Sequence, residues 1–223
     1  MVGSKMKITI HTNTSEKIAE LTKYTGLNHL EYCHKHGYQY DSSIFNYDDY
    51  NKNIIRELES ILELFKYNDI VMLVGADTMF MNWNIKVEDL LRPEDHVLVA
   101  RENSAWWPIN NEVMIYKNTP EAIALFQRWI DDFEIWKYYP WTLQTHLWNL
   151  IQEDQLVRNI VRVVDAKVMN QHPKHWQLGD YIVHFYGMPI NNKISLAKQF
   201  HENWGNGTAT WKIKHNQERP GVL

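Results

Sequence analysis

Asp69-Ile70-Val71-Met72-Leu73-Val74-Gly75-Ala76-Asp77-Thr78-Met79-Phe80-Met81-Asn82 is the stretch on which the fold turns. Five consecutive apolar residues, Ile70 to Val74, read as a strand buried on both faces, because a half-exposed strand would alternate. The strand delivers Asp77 to its C-terminal end, where open α/β sheets bind ligands. A carboxylate there is also a natural ligand for a hard divalent cation that holds phosphate oxygens. The competing reading is an Asp that closes a turn, and this segment alone does not separate the two.

On either side of that strand the pattern alternates. Lys7 to Thr14, with β-branched Ile8, Thr9, Ile10 and Thr12, reads as a first strand. Residues 16–36 read as helix broken into two pieces at Gly26 and stopped at Gly37, after the cationic run His34-Lys35-His36. Tyr38 to Phe45 is a second, short strand. Ile54, Ile55, Leu58, Ile61, Leu62 and Phe65 fall at helical spacing and predict an amphipathic helix over 51–66. His96 to Arg101 and Val113 to Tyr116 read as strands. Thr119-Pro120-Glu121 opens a helix with Thr as N-cap and Pro at its first position. A helix over 142–153, a strand from Leu156 to Val164 and a last strand from Tyr181 to Phe185 complete the series. The expectation is one α/β domain over 1–202, a largely parallel sheet flanked by helices, then a polar tail over 203–223.

The chain has 223 residues, 44% of them hydrophobic and 22% charged, which suits one soluble domain with a sizeable core. A formal net charge of −4 supplies no global field for nucleic acid. No apolar run is long enough to span a bilayer, and Met1 to Lys5 carries no secretory apolar region. A single cysteine, Cys33, fits a reducing compartment. A cytoplasmic protein is expected. Ten Trp and twelve Tyr are many for the length. Most such rings belong in a core, and some form platforms for sugars or bases.

Five separated segments together resemble one family. Asn28-His29-Leu30-Glu31-Tyr32-Cys33-His34-Lys35-His36-Gly37-Tyr38 is similar to its Asn-Lys-x-x-Tyr-Ala-x-x-His-Gly-Tyr signature. Leu73 to Asn82 resembles the strand carrying its Asp-x-Asp motif. Ile109-Asn110-Asn111-Glu112-Val113-Met114-Ile115-Tyr116-Lys117-Asn118 is similar to its Asn-Ser-Gly strand. Asn170 with Pro173 resembles its late Asn-containing loop. Gly179-Asp180-Tyr181-Ile182-Val183-His184-Phe185-Tyr186-Gly187 resembles its closing Gly-Asp-Phe-Ile-Val-His-Phe-x-Gly. The family is that of the GT-A glycosyltransferases which include fungal galactosyl- and mannosyltransferases and plant xyloglucan xylosyltransferases. The resemblance spans residues 7–200, and the closing run weighs most.

What the resemblance implies is a Rossmann-like mixed sheet and transfer of a sugar, with retention, from a nucleoside diphosphate donor, most often a UDP-sugar. Manganese or magnesium would assist. By carry-over, Asp77 and His184 hold the metal, and Gln144 lies near the reacting sugar. Thr12 and Asn13 face the nucleotide, while Gly187 and Lys193 border the diphosphate. Asn110 and Glu112, with the pair Trp106 and Trp107, border the donor and acceptor. The chain departs from the pattern twice: Gly75 stands where the family has its first Asp, and Glu112 where it has a Gly.

The acceptor implied is a hydroxyl, on a glycan or on a hydroxylated DNA base. A base acceptor would need a local basic groove, for which Lys193, Lys198, Lys212 and Lys214 are the late candidates. Two other classes compete. A non-catalytic module would bind a nucleotide or glycan on the same fold, and Gly75 and Glu112 would be its relics of lost chemistry. A metal-dependent phosphohydrolase would want more carboxylates than Asp77 supplies.

Overall fold

The structure is a computed structural model that describes residues 6–45, 49–102 and 108–204. Its elements run β1 (Ile8–Thr14), α1 (Ala19–His36), β2 (Gln39–Ile44), α2 (Tyr50–Phe65), β3 (Ile70–Val74), β4 (Thr78–Phe80), β5 (Val97–Ala100), β6 (Asn110–Lys117), α3 (Pro120–Asp131), α4 (Phe133–Trp136), α5 (Thr142–Glu153), α6 (Gln155–Ile160), β7 (Val161–Val164), α7 (Ala166–Met169), β8 (Ile182–His184) and α8 (Ile190–Trp204). Six strands form one sheet in the order β2-β1-β3-β6-β5-β7, and β4 pairs with β8 in a separate two-stranded sheet.

Side-chain alternation explains the layering. In β3, Val71 and Leu73 pack into one core with Leu58 and Ile61 of α2 and Phe126 and Trp129 of α3. Ile70, Met72 and Val74 face the other way, toward Tyr32 of α1, Phe80 of β4 and Tyr181. All five are buried, as the unbroken apolar run requires. Tyr32 stacks on Phe80 with ring centroids 3.9 Å apart, and its hydroxyl lies 2.7 Å from that of Tyr181. A smaller cluster of Leu21, Met79, Phe185 and Phe200 docks α8 against the two-stranded sheet.

β1 pairs in parallel with β2 and β3, and β5 with β7. β6 runs antiparallel to both β3 and β5. The reversal of β6 decides the site, because it places the start of β6 beside the end of β3. Val74 is in register with Val113, and the Gly75 N–H donates to the Glu112 carbonyl at 2.7 Å.

The helix termini follow the sequence. Asp49 accepts from the Asn51 and Lys52 amides at the head of α2, and Thr119 accepts from the Ala122 amide at the head of α3. Gly37 closes α1 with φ 70°, a left-handed conformation that favours glycine. Two expectations are corrected. Gly26 does not break α1, which runs unbroken through it. A Cβ there would meet the Tyr40 hydroxyl at 3.6 Å, an ordinary contact, so the space beside β2 does not itself require glycine. Leu156 to Val164 is not one strand: residues 155–160 are helical and only Val161 to Val164 extend. Asp154 starts the helix by accepting from the Leu156 and Val157 amides, a cap that outweighs the β-branched composition. The boundary expected at residue 202 falls in the last turn of α8, and residues 205–223 lie outside the described ones.

Candidate active site

The two-stranded sheet assembles the site. Thr78 of β4 is in register with His184 of β8, and the Phe185 amide donates to the Asp77 carbonyl at 2.9 Å. That pairing brings residues far apart in sequence to the end of β3. Asp77 Oδ1 lies 3.0 Å from His184 Nε2, and Asp77 Oδ2 lies 2.6 Å from Lys193 Nζ, on the first turn of α8. Asp77, His184 and Lys193, three of the residues singled out by sequence, are in direct contact.

Burial alone would raise the Asp77 carboxyl. The His184 imidazole and the Lys193 ammonium more than reverse that and hold it well below the ordinary carboxylate range. Asp77 is therefore an anion at neutral pH. His184 is itself fixed from behind, where its Nδ1 lies 2.7 Å from Asn170 Oδ1. Asn170 is fully buried, and its amide nitrogen donates to the Arg101 carbonyl at 3.4 Å, so its oxygen faces the ring. Nδ1–H then donates to Asn170, and Nε2 is the nitrogen aimed at Asp77, donating to its carboxylate as the lowered Asp77 carboxyl requires.

This pair fits a divalent cation. Neighbouring ligands around a six-coordinate ion with bonds of about 2.1 Å stand about 3 Å apart, which is the separation of Asp77 Oδ1 and His184 Nε2. Among the described residues no group of three or more His, Cys, Asp or Glu is arranged to hold a metal, so the remaining ligands would be phosphate oxygens and water.

Around this centre the other residues divide. Gln144, near the head of α5, is buried, and its Oε1 accepts from the Asn111 amide at 3.3 Å, which seats it against the start of β6. Asn110 Oδ1 accepts from the Glu112 amide at 3.0 Å, and its amide group donates to Glu102 at 3.1 Å. Glu112 follows and is an exposed residue. Asn13 points toward α2 and donates to Glu57, while among the described residues its own Oδ1 is buried without a partner. Thr12 turns to the opposite face, where its hydroxyl meets His29 Nδ1 at 3.2 Å. Gly187 follows β8 at φ 67°. Trp106 and Trp107 lie outside the described residues.

Sequence reasoning missed Glu57. It sits one residue before the buried Leu58 on α2 and reads there as part of a solvated face. Desolvation pushes its carboxyl up, against the lowering by Asn13. Glu112 is also raised, first by desolvation and then by the like charges of Glu57 and Asp77. The one available signal for Glu57 was its place on the helix that crosses the end of β1.

No family model and no curated protein sequence matches the chain. Its structure is similar to that of a glycosyltransferase involved in the glycosylation of the major capsid of PBCV-1, with a TM-score of 0.70 and 17% identity over 86% of this chain and 99% of that one. It is also similar to the glycosyltransferase GlyE of Streptococcus pneumoniae TIGR4, with a TM-score of 0.54 and 13% identity over 90% of this chain and 65% of that one. The apo form of GlyE gives a TM-score of 0.56 at 12% identity, with 90% of this chain and 64% of that one covered. The mixed, mainly parallel sheet flanked by helices is thus that of a GT-A glycosyltransferase fold.

Proposed function

We propose that this chain is a glycosyltransferase that moves a sugar from a nucleoside diphosphate sugar, a UDP-sugar in the first instance, to a glycan hydroxyl. The observation that carries the reading is the convergence of Asp77, His184 and Lys193 at the end of β3, in a fold shared with glycosyltransferases. Mn²⁺ or Mg²⁺ at Asp77 and His184 would supply Lewis-acid stabilisation to the departing diphosphate.

The chain's own residues account for the remaining steps. Asn13 Oδ1, buried and unpartnered, suits an N–H donor such as the imide of uracil. Lys193 exchanges Asp77 for a phosphate oxygen once the donor is bound, and it is shielded enough for that charge to act strongly. The bond from the anomeric carbon to the phosphate oxygen breaks with its electron pair on the diphosphate. The acceptor oxygen bonds to the same carbon, and its proton passes to the departing phosphate, which gives retention. Gln144 borders the carbon as it gains oxocarbenium character.

Calorimetric titration of UDP with and without Mn²⁺, beside Asp77→Ala, tests this. Binding that depends on Mn²⁺ and is lost in the variant supports it. Binding indifferent to both would remove the metal from the site. Slow hydrolysis of a UDP-sugar distinguishes an enzyme from a binding module on the same fold.

A further inference from the structure

A cleft of about 910 Å³ lies between α2, the end of α3 and α4. The topology puts it at the same end of the sheet as Asp77. β2 runs parallel to β1, so α2, which follows β2, begins where β1 ends, and there Asn13 donates to Glu57. α3 follows the far end of the antiparallel β6 and so finishes at the site end. α4 comes next and is tied to α5, where His146 Nε2 lies 3.0 Å from Asp132 Oδ2. α5 in turn carries Gln144, seated on the start of β6. The cleft therefore shares its end of the fold with the donor centre.

Trp136 anchors α4 in the core: it is fully buried, and its indole N–H donates to the Trp129 carbonyl at 2.6 Å. Tyr138, just beyond it, lines the cleft and is 79% exposed, so the core has no use for its ring. The Lys137 ammonium lies over that ring, 4.9 Å from its centroid, and over the Phe133 ring at 5.4 Å. An exposed ring held in place beside a cleft is a stacking surface. The chain then enters α5 through Trp141 and Thr142, both left-handed, at φ 59° and 40°, and neither a glycine. Such backbone strain costs stability and gathers at ligand sites. Here it sets the head of α5, where the Gln144 amide donates to the Trp141 carbonyl at 3.0 Å.

The charges select the ligand. Arg56 pairs with Glu59 at 2.6 Å, and Lys137 pairs with Glu134 at 2.6 Å. Cations already matched to carboxylates offer little to an anion, whereas sugar hydroxyls accept from the first and donate to the second. A volume near the top of the ~300–1,000 Å³ span of ligand clefts holds more than one sugar ring.

We propose that this cleft is the acceptor site and takes an uncharged oligosaccharide, with one ring stacked on Tyr138 and the chain end directed to Gln144. It rests on the glycosyltransferase reading only for the existence of a sugar acceptor. What is added is the place, the platform and the absence of charge.

The test is binding of the fluorescently labelled full chain, with UDP and Mn²⁺, to an array of uncharged and acidic oligosaccharides. Wild type, Tyr138→Ala and Tyr138→Phe are compared, and UDP binding by each is measured by calorimetry. Tyr138 is exposed, so both variants keep the fold. Wild type is expected to bind uncharged glycans, Tyr138→Ala about tenfold more weakly, and Tyr138→Phe within about twofold of wild type. UDP affinity is expected to be the same in all three. If only acidic glycans bind, or if Tyr138→Ala binds uncharged ones like wild type, the proposal is overturned. If wild type binds UDP but no glycan, it is again overturned and the donor reading stands. Loss of UDP in Tyr138→Ala would put the nucleotide, not the acceptor, in the cleft. Uncharged glycans lost in Tyr138→Ala, by a chain that never binds UDP, would keep the cleft and remove the donor reading.

Discussion

Lys193 reaches Asp77 across 116 residues of sequence, its Nζ 2.6 Å from Oδ2. With no donor present the ammonium neutralises the carboxylate, and donor phosphates would compete for it. Lys193→Met should leave the fold intact, because the replacement keeps the apolar stem of a partly exposed side chain. It should weaken UDP about tenfold and uridine hardly at all, since the loss is of one charge-assisted phosphate contact. Calorimetry with both ligands checks this, and equal losses for UDP and uridine would remove Lys193 from the diphosphate.

Asn170 touches no ligand in this reading and acts through His184. Asn170→Ala frees the imidazole to rotate and to change tautomer. Such supports behind a metal-binding histidine are worth about 10–100-fold in metal affinity. The expected signature is weaker Mn²⁺ binding with UDP affinity in the absence of metal unchanged. A parallel loss of both would mean that Asn170 only holds the loop before β8.

The carboxyls of Glu57 and Glu112 are both raised in the fold, so the folded state holds protons that the unfolded chain releases. For a raised carboxyl the contribution to stability is complete below the unfolded value, 4.5. It is lost as pH rises toward the folded value. Glu57→Gln removes that loss and still accepts from Asn13. It should melt a few degrees above wild type at pH 8, a gain of about 1 kcal/mol, and level with it near pH 4. A melting difference independent of pH would show that Glu57 titrates alike in the folded and unfolded chain and would overturn the raised carboxyl.

His29 has the opposite sign. Burial beneath α1 pushes its imidazole from 6.5 down to about 4, against the raising effect of its bond to the Thr78 carbonyl. The folded state therefore binds fewer protons than the unfolded one between those values. Stability is undiminished above pH 6.5 and falls as pH drops toward 4, by up to ~3 kcal/mol. Urea unfolding at pH 7 and pH 4.5 should show the drop in wild type and a shallower one in His29→Gln.

Much of this was legible in the sequence because the physics was local. Ile70 to Val74 could only be a buried strand, and the stripe on α2 could only face a core. Thr119-Pro120 is a helix start that no strand tolerates. Two elements were misread where local signals conflict. The run from Leu156 to Ile160 is apolar and partly β-branched, and only the Asp154 cap decides for helix. Gly26 has the composition of a breaker, yet α1 runs through it. Of the site, Asp77 and His184 were visible because a motif frames each. Glu57 was not, because an acid beside an apolar stripe looks like any solvated glutamate until β1 is laid beneath it.

The order in which the ribosome releases these residues has its own consequence. The six-stranded sheet is complete at Val164, yet the partners of Asp77 arrive only with β8 and α8. A nascent chain can therefore bury its main core before it owns a binding centre. Among the described residues the last of these partners comes with α8, so in the proposed reading a product cut short before it would lack the Lys193 ammonium beside Asp77.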